Sequence, residues 1–193
     1  MKVVVKTIYY WRKNMKKTTL LKLTAFLVAL FGIAAFVMMF FTALTTGGDN
    51  PSTLKGQEIV FGKELSNIKI LGITSKANIN FSFMMMLAYF LPLVLGVLVI
   101  AVEAIAKNGF VKFLVGAIAF AGFVFALILV ALTVNIATVT YSGTLTGETT
   151  GTIAEWTSSF GLGIGSILAI VANGLAACGA CTYTTLQLLK GKK

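Results

Sequence analysis

Four apolar runs decide what this chain can be. Residues 21–45, 83–106, 110–136 and 160–188 are dominated by Leu, Ile, Val, Ala, Phe and Met. At about 1.5 Å per residue, each run is long enough as a helix to cross the roughly 30 Å hydrocarbon layer of a bilayer. Lipid offers backbone N–H and C=O groups no partner, so runs of this kind are expected to be helical. An all-α membrane protein follows: one four-helix transmembrane domain over 1–193, with a basic arm at 1–22 and two longer connections at 46–82 and 137–159. Only 11% of the residues are charged, against about 25% in an ordinary soluble domain. The segment Met15-Lys16-Lys17 ahead of the first run imitates a secretory signal. That run exceeds the roughly 7–15 apolar residues of a signal, so it is expected to be an uncleaved anchor.

Charge sets the expected orientation. The arm, the 107–112 turn and the 190–193 tail hold 12 of the 16 Lys and Arg residues, whereas 46–82 and 137–159 hold the other four and five of the six acids. The positive-inside rule places both termini in the cytoplasm. The same rule, with attraction to anionic headgroups, explains the net charge of +10 without nucleic acid. The expected location is the plasma membrane, specifically a bacterial cytoplasmic membrane. The arm, with Val3-Val4-Val5 and Tyr9-Tyr10-Trp11 among its lysines, suits either a surface-lying amphipathic segment or a solvated basic tail. Tyr141, Trp156 and Tyr183 stand where interfacial aromatics are expected.

Lys107-Asn108-Gly109 is short enough to demand an antiparallel hairpin between the second and third helices. The outer connections are longer and strand-like. Ile59-Val60-Phe61, Ile68-Lys69-Ile70 and Ile79-Asn80-Phe81-Ser82-Phe83 fall in the first, and Thr138-Val139-Thr140-Tyr141-Ser142-Gly143 opens the second. They predict a small extracytoplasmic β-rich head formed by loops 1 and 2. A β-prone first outer loop, a tight inner turn, a third helix running into a strand and a fourth ending in a basic tail resembles the claudin-type tetraspan layout. The resemblance covers most of the chain as topology only. Residues 46–82 lack the Trp and Cys of the claudin first-loop signature, so no functional residue carries over.

Small residues recur at helix-packing spacing: Gly161, Gly165, Ala169, Ala172, Ala176 and Ala180 in the fourth helix, Gly116, Ala119, Gly122 and Ala126 in the third, and Ala25, Ala29 and Gly32 in the first. In lipid such stripes let backbones approach closely, within the bundle or against another subunit. Pro92, with Gly96 one turn on, predicts a kink in the second helix. Glu103 is the single acid inside an apolar run, and Lys107 at i+4 is its expected partner. Asn135 and Asn173 are the remaining candidates for a buried functional polar group.

Catalytic chemistry is sparse. The chain has no histidine, which removes the commonest general base and zinc ligand. Cys178-Gly179-Ala180-Cys181 has redox-motif spacing, but it falls toward the cytoplasmic end and no second cysteine pair relays electrons. The two thiols are therefore read as small packing residues, with palmitoylation or metal capture next. Asn80-Phe81-Ser82 matches a glycosylation acceptor but abuts a helix. The function expected is that of a non-enzymatic structural or accessory subunit, needing no cofactor, whose partners are the bilayer and other membrane subunits or its own copies. A small transporter or channel subunit, suggested by Pro92 and Glu103, is the alternative; a membrane thiol oxidoreductase is third. A small-molecule substrate cannot be read from these residues.

Overall fold

The computed structural model describes residues 17–47, 51–70, 73–144, 147–156 and 160–191. Most of the arm, the 48–50 turn and the last two lysines thus lie outside the described residues, and with them the surface-helix reading of the arm. In chain order the elements are α1 (Lys17–Val37), β1 (Thr42–Thr46), β2 (Thr53–Lys55), α2 (Gly56–Phe61), β3 (Lys63–Ile70) and β4 (Ile73–Ile79). Then come α3 (Phe83–Ile105), α4 (Gly109–Ala131), α5 (Thr133–Ile136), β5 (Thr138–Gly143), β6 (Gly147–Thr152), α6 (Ile153–Trp156), β7 (Phe160–Leu162) and α7 (Ile164–Gly191). The four long helices α1, α3, α4 and α7 are apolar and long enough to cross a membrane. The chain is mostly helical, with two small sheets.

Each long helix packs on its neighbours in sequence and α1 closes the ring on α7, so α3 and α7 face each other across one diagonal and α1 and α4 across the other. Close approach is bought by glycine where α1 meets α3. A Cβ on Gly32 would lie 2.5 Å from the Pro92 carbonyl oxygen, and one on Gly96 3.1 Å from the Ala29 Cα. Phe36 stacks edge-on against Phe90 beside this crossing, with ring centroids 5.1 Å apart. The lower core gathers Leu21, Val28, Leu95, Val99, Phe123 and Ala176. The upper core joins Tyr89, Leu129 and Val130 to Leu44, Ile59 and Val139 of the sheet end.

Two antiparallel sheets sit at that end. One has the order β2-β1-β7 and the other β3-β4-β5-β6. The expected sheet of loop 1 joined by the start of loop 2 is the second of these. Four boundaries differ from the sequence reading. The first helix stops at Val37, and a 3-10 turn at Met38–Phe40 delivers the β-branched Thr42–Thr46 as a strand. The third helix breaks at Leu132, and 160–162 pair as β7 with β1 rather than opening the fourth helix. Ile59-Val60-Phe61 is helical, because the Glu58 carboxylate accepts the Lys55 N–H at 2.9 Å and turns the chain there. Ile59 and Val60 are fully buried under this turn, so packing overrides their β propensity. Gly62 ends α2 at φ 88°, where a Cβ would approach the Ile79 oxygen to 2.7 Å.

Candidate functional site

The charged groups inside the bundle meet at the end opposite the sheets. Asn108 caps α4, its Oδ1 accepting the Phe110 N–H at 2.9 Å, and fixes the hairpin. That hairpin sets Lys112, in the first turn of α4, beside Glu103 in the last turn of α3. Lys112 Nζ lies 3.0 Å from Glu103 Oε2 and also donates to the Glu103 backbone oxygen at 3.0 Å. From across the diagonal, Tyr183 Oη donates to the same Oε2 at 2.8 Å and Gln187 Nε2 donates to it at 3.2 Å. Three helices are clasped by one carboxylate. Tyr183 is wholly buried and Gln187 nearly so.

The expected Glu103–Lys107 pair does not form. Ala106 leaves the helix in extended conformation, so Lys107 is no longer at i+4 on a helical surface, and it is exposed. Sequence reasoning missed Lys112, Tyr183 and Gln187. The available signal was spacing: Ser166, Asn173, Ala180 and Gln187 recur every seven residues and all lie on the buried face of α7. Tyr183, at i−4 from Gln187, shares that face.

Asn173 is fully buried. Its Nδ2 donates to the Ala169 carbonyl at 2.9 Å, and its Oδ1 has no partner. Tyr89, also fully buried, neighbours Ser166 but closes no well-formed hydrogen bond, the Ser166 hydroxyl donating instead to Ala43 O at 2.9 Å. Between this region and the clasp the core is apolar, built by Leu95, Val99, Phe123, Ala176 and Ala180. Asn135, expected among the buried groups, is exposed, since α5 turns it away from the bundle.

The small-residue positions divide. Ala169, Ala172, Ala176, Ala180, Gly165 and Gly116 are buried and Gly122 is half-buried against Leu95. A Cβ on Gly116 would meet the Thr184 hydroxyl at 2.5 Å, and one on Gly165 the Thr42 oxygen at 2.8 Å. Gly161 is in β7, exposed, with open space around it. The two thiols are not the small packing residues expected from their place in an apolar helix. Cys178 and Cys181 are both exposed on the outer face of α7, because residues 176, 180 and 183 take the inner side. Thr182 and Thr185 lie on that outer face too, their hydroxyls donating at 2.9 Å to the Cys178 and Cys181 carbonyls. Among the described residues no group of His, Cys, Asp and Glu is placed to hold a metal ion.

At the other end, the solvent-facing sheet carries a hydroxyl-rich network. Asn80 Nδ2 donates to Thr140 Oγ1 at 2.8 Å, and Thr140 meets Thr150 at 2.9 Å, linking β4, β5 and β6. A hollow of about 190 Å³ beside it is lined by Val139, Tyr141, Thr150 and Glu155. No family model matches this chain, and no curated protein or solved structure matches it either.

Proposed function

We propose that this chain is a structural or accessory subunit of a membrane assembly: a four-helix anchor that carries a β-rich head outside the membrane and meets copies of itself or other subunits. The observation that carries the reading is how the polar groups are spent. Glu103, the one acid within a span, is closed on Lys112, Tyr183 and Gln187 of its own chain, which suits a clasp that fixes the bundle rather than a group exposed to a substrate. The head, by contrast, leaves two strands of its larger sheet without a partner on one side among the described residues. Lys22, Lys107 and Lys112 at the clasp end support a cytoplasmic side for that end by the positive-inside rule, and with it a head outside in the claudin-like position. Exposed Phe40, Phe41, Phe61, Phe81 and Phe83 mark the level where the helices give way to the sheets. The host membrane is read as a bacterial plasma membrane.

The test is size in native membrane. Mild-detergent extraction should give particles larger than one chain, or a defined set of companions; a monodisperse monomer with no companion contradicts the proposal. A second reading, a small transporter or channel subunit, draws on the buried Asn173 oxygen without a partner. Purified protein in liposomes that passes ions or solutes, with Asn173→Leu abolishing the flux, would favour it.

A further inference from the structure

We infer that copies of this chain join side by side through the two free edges of the larger sheet, β6 of one copy pairing with β3 of the next. This deepens the assembly reading above and rests on it. Three observations converge. First, in the order β3-β4-β5-β6 neither outermost strand has a described partner on its far side, and an unpaired strand presents a row of N–H and C=O groups ready to pair. Residues 147–150 of β6 and Lys63, Glu64 and Asn67 of β3 are exposed.

Second, strand direction fits. β4 enters α3 through three residues and β5 leaves α5 through one, so these strands run toward and away from the bundle. Hydrogen bonds between strands therefore point across the bundle axis, in the plane of the membrane. Because all four strands are antiparallel, β6 runs toward the bundle and β3 away from it. A copy shifted sideways in the same membrane, with the same orientation, sets β3 antiparallel to β6, and the meander continues from copy to copy without a break in pattern.

Third, charge is divided between the edges and matched by height. β3 and β4 carry Lys63, Lys69 and Lys76 against Glu64 and the Glu58 that holds Lys63 at 2.7 Å, a net positive side, while β6 and α6 carry Glu148 and Glu155 and no basic residue. The register strings Lys63, Ile79, Val139 and Gly151 into one row and Asn67, Lys76, Ser142 and Glu148 into another. The Glu155 carboxylate borders Gly151 in the first row, bonded to the Thr152 N–H at 2.8 Å. The membrane holds copies at one height, so each row meets its own other end: Lys63, bridged to Glu58 of its own chain, comes level with Glu155, and Asn67, with Lys76 one strand further in, comes level with Glu148. Such a contact is heterologous and propagates as a row or closes as a ring.

Cross-linking in membranes tests this. In a Cys178→Ser, Cys181→Ser background, Asn67→Cys and Thr149→Cys together should give, with a short bifunctional maleimide, a ladder of dimers, trimers and larger species. Each cysteine alone should give none, and the two single variants co-expressed should give dimers only. Glu148→Lys should cut the ladder several-fold, and Glu148→Lys combined with Lys76→Glu should restore it, with an unchanged melting temperature showing the fold intact. Dimers from Thr149→Cys alone, or no ladder from protein that still runs as an oligomer in mild detergent, overturn the edge pairing while leaving the assembly reading standing. Protein that is monomeric in both settings overturns both.

Discussion

Glu103 shows how one side chain is held by groups remote in sequence. Its carboxylate takes a charged donor from Lys112 and neutral donors from Tyr183 and Gln187, and its partners' costs differ. Tyr183→Phe removes one hydrogen bond to a charged acceptor, about 1.5–3 kcal/mol. Lys112→Met strands a carboxylate that is 10% exposed, so the larger loss belongs to it, about 3 kcal/mol. Glu103→Gln added to Lys112→Met should recover part of the deficit, because the uncompensated charge is gone. Thermal unfolding in detergent should give that order; a Lys112→Met variant as stable as wild type would deny the clasp its role. A second residue, Glu58, stands outside the membrane spans. Partial burial works to raise its pKa, but the Lys63 hydrogen bond, the Lys55 N–H and the two lysine charges outweigh it and hold it below the ordinary 4.5. A depressed carboxylate stabilises above its unfolded pKa and loses that contribution as pH falls through the folded value. The α2–β3 corner should therefore hold at neutral pH and loosen only below about pH 4.5. Lys63→Gln should move the Glu58 titration, followed by NMR, upward; no movement would show that Lys63 is not its partner.

Among elements, the α1–α3 crossing depends on two backbones meeting at Gly32 and Gly96. Gly32→Val would place branched carbon against the Pro92 backbone oxygen, which cannot move like a side-chain tip, and overpacking of this kind costs about 1–3 kcal/mol. Gly161→Val on β7 meets open space and should leave the melting temperature unchanged. Equal effects at the two glycines would mean that close approach is not what Gly32 provides. The same elements show what the sequence could tell. Apolar length marked four helices long enough to span a membrane, since nothing else satisfies backbone groups in lipid, and the β-branched run Thr138–Gly143 marked β5, whereas the alternation over 79–83 meets a strand only at Ile79, because Ser82 caps the helix that opens at Phe83. Helix ends were less legible. Thr42–Thr46 and Phe160–Leu162 are apolar enough to extend either neighbouring helix, and it is pairing with other strands, Leu44 with Leu54 and with Leu162, that makes them strands. The thiols were misplaced for a related reason. Every residue of an apolar helix looks fit for burial, and which face turns inward is decided by neighbours such as Phe123 and Val28 that lie far away in sequence. Lys112 was hidden likewise, because hairpin geometry rather than helical spacing brings it to Glu103.

For the molecule as a whole, the proposed orientation can be read by labelling single cysteines in intact cells after Cys178→Ser and Cys181→Ser. Thr149→Cys should react with an impermeant maleimide from outside, and Lys107→Cys only after the membrane is opened. Reaction at 107 in sealed cells would invert the topology. The pairing of β1 with β7 has a further consequence, one of timing. β1 follows the first span and β7 precedes the last, and Leu44 and Leu162 are more than a hundred residues apart. At about 5–20 residues per second, β1 leaves the ribosome roughly ten seconds before its partner exists. Throughout that interval the middle strand of a three-stranded sheet is bare on one side. A chain stalled or truncated before the fourth span carries that bare edge indefinitely, a ready signal by which quality control could tell an unfinished copy from a finished one.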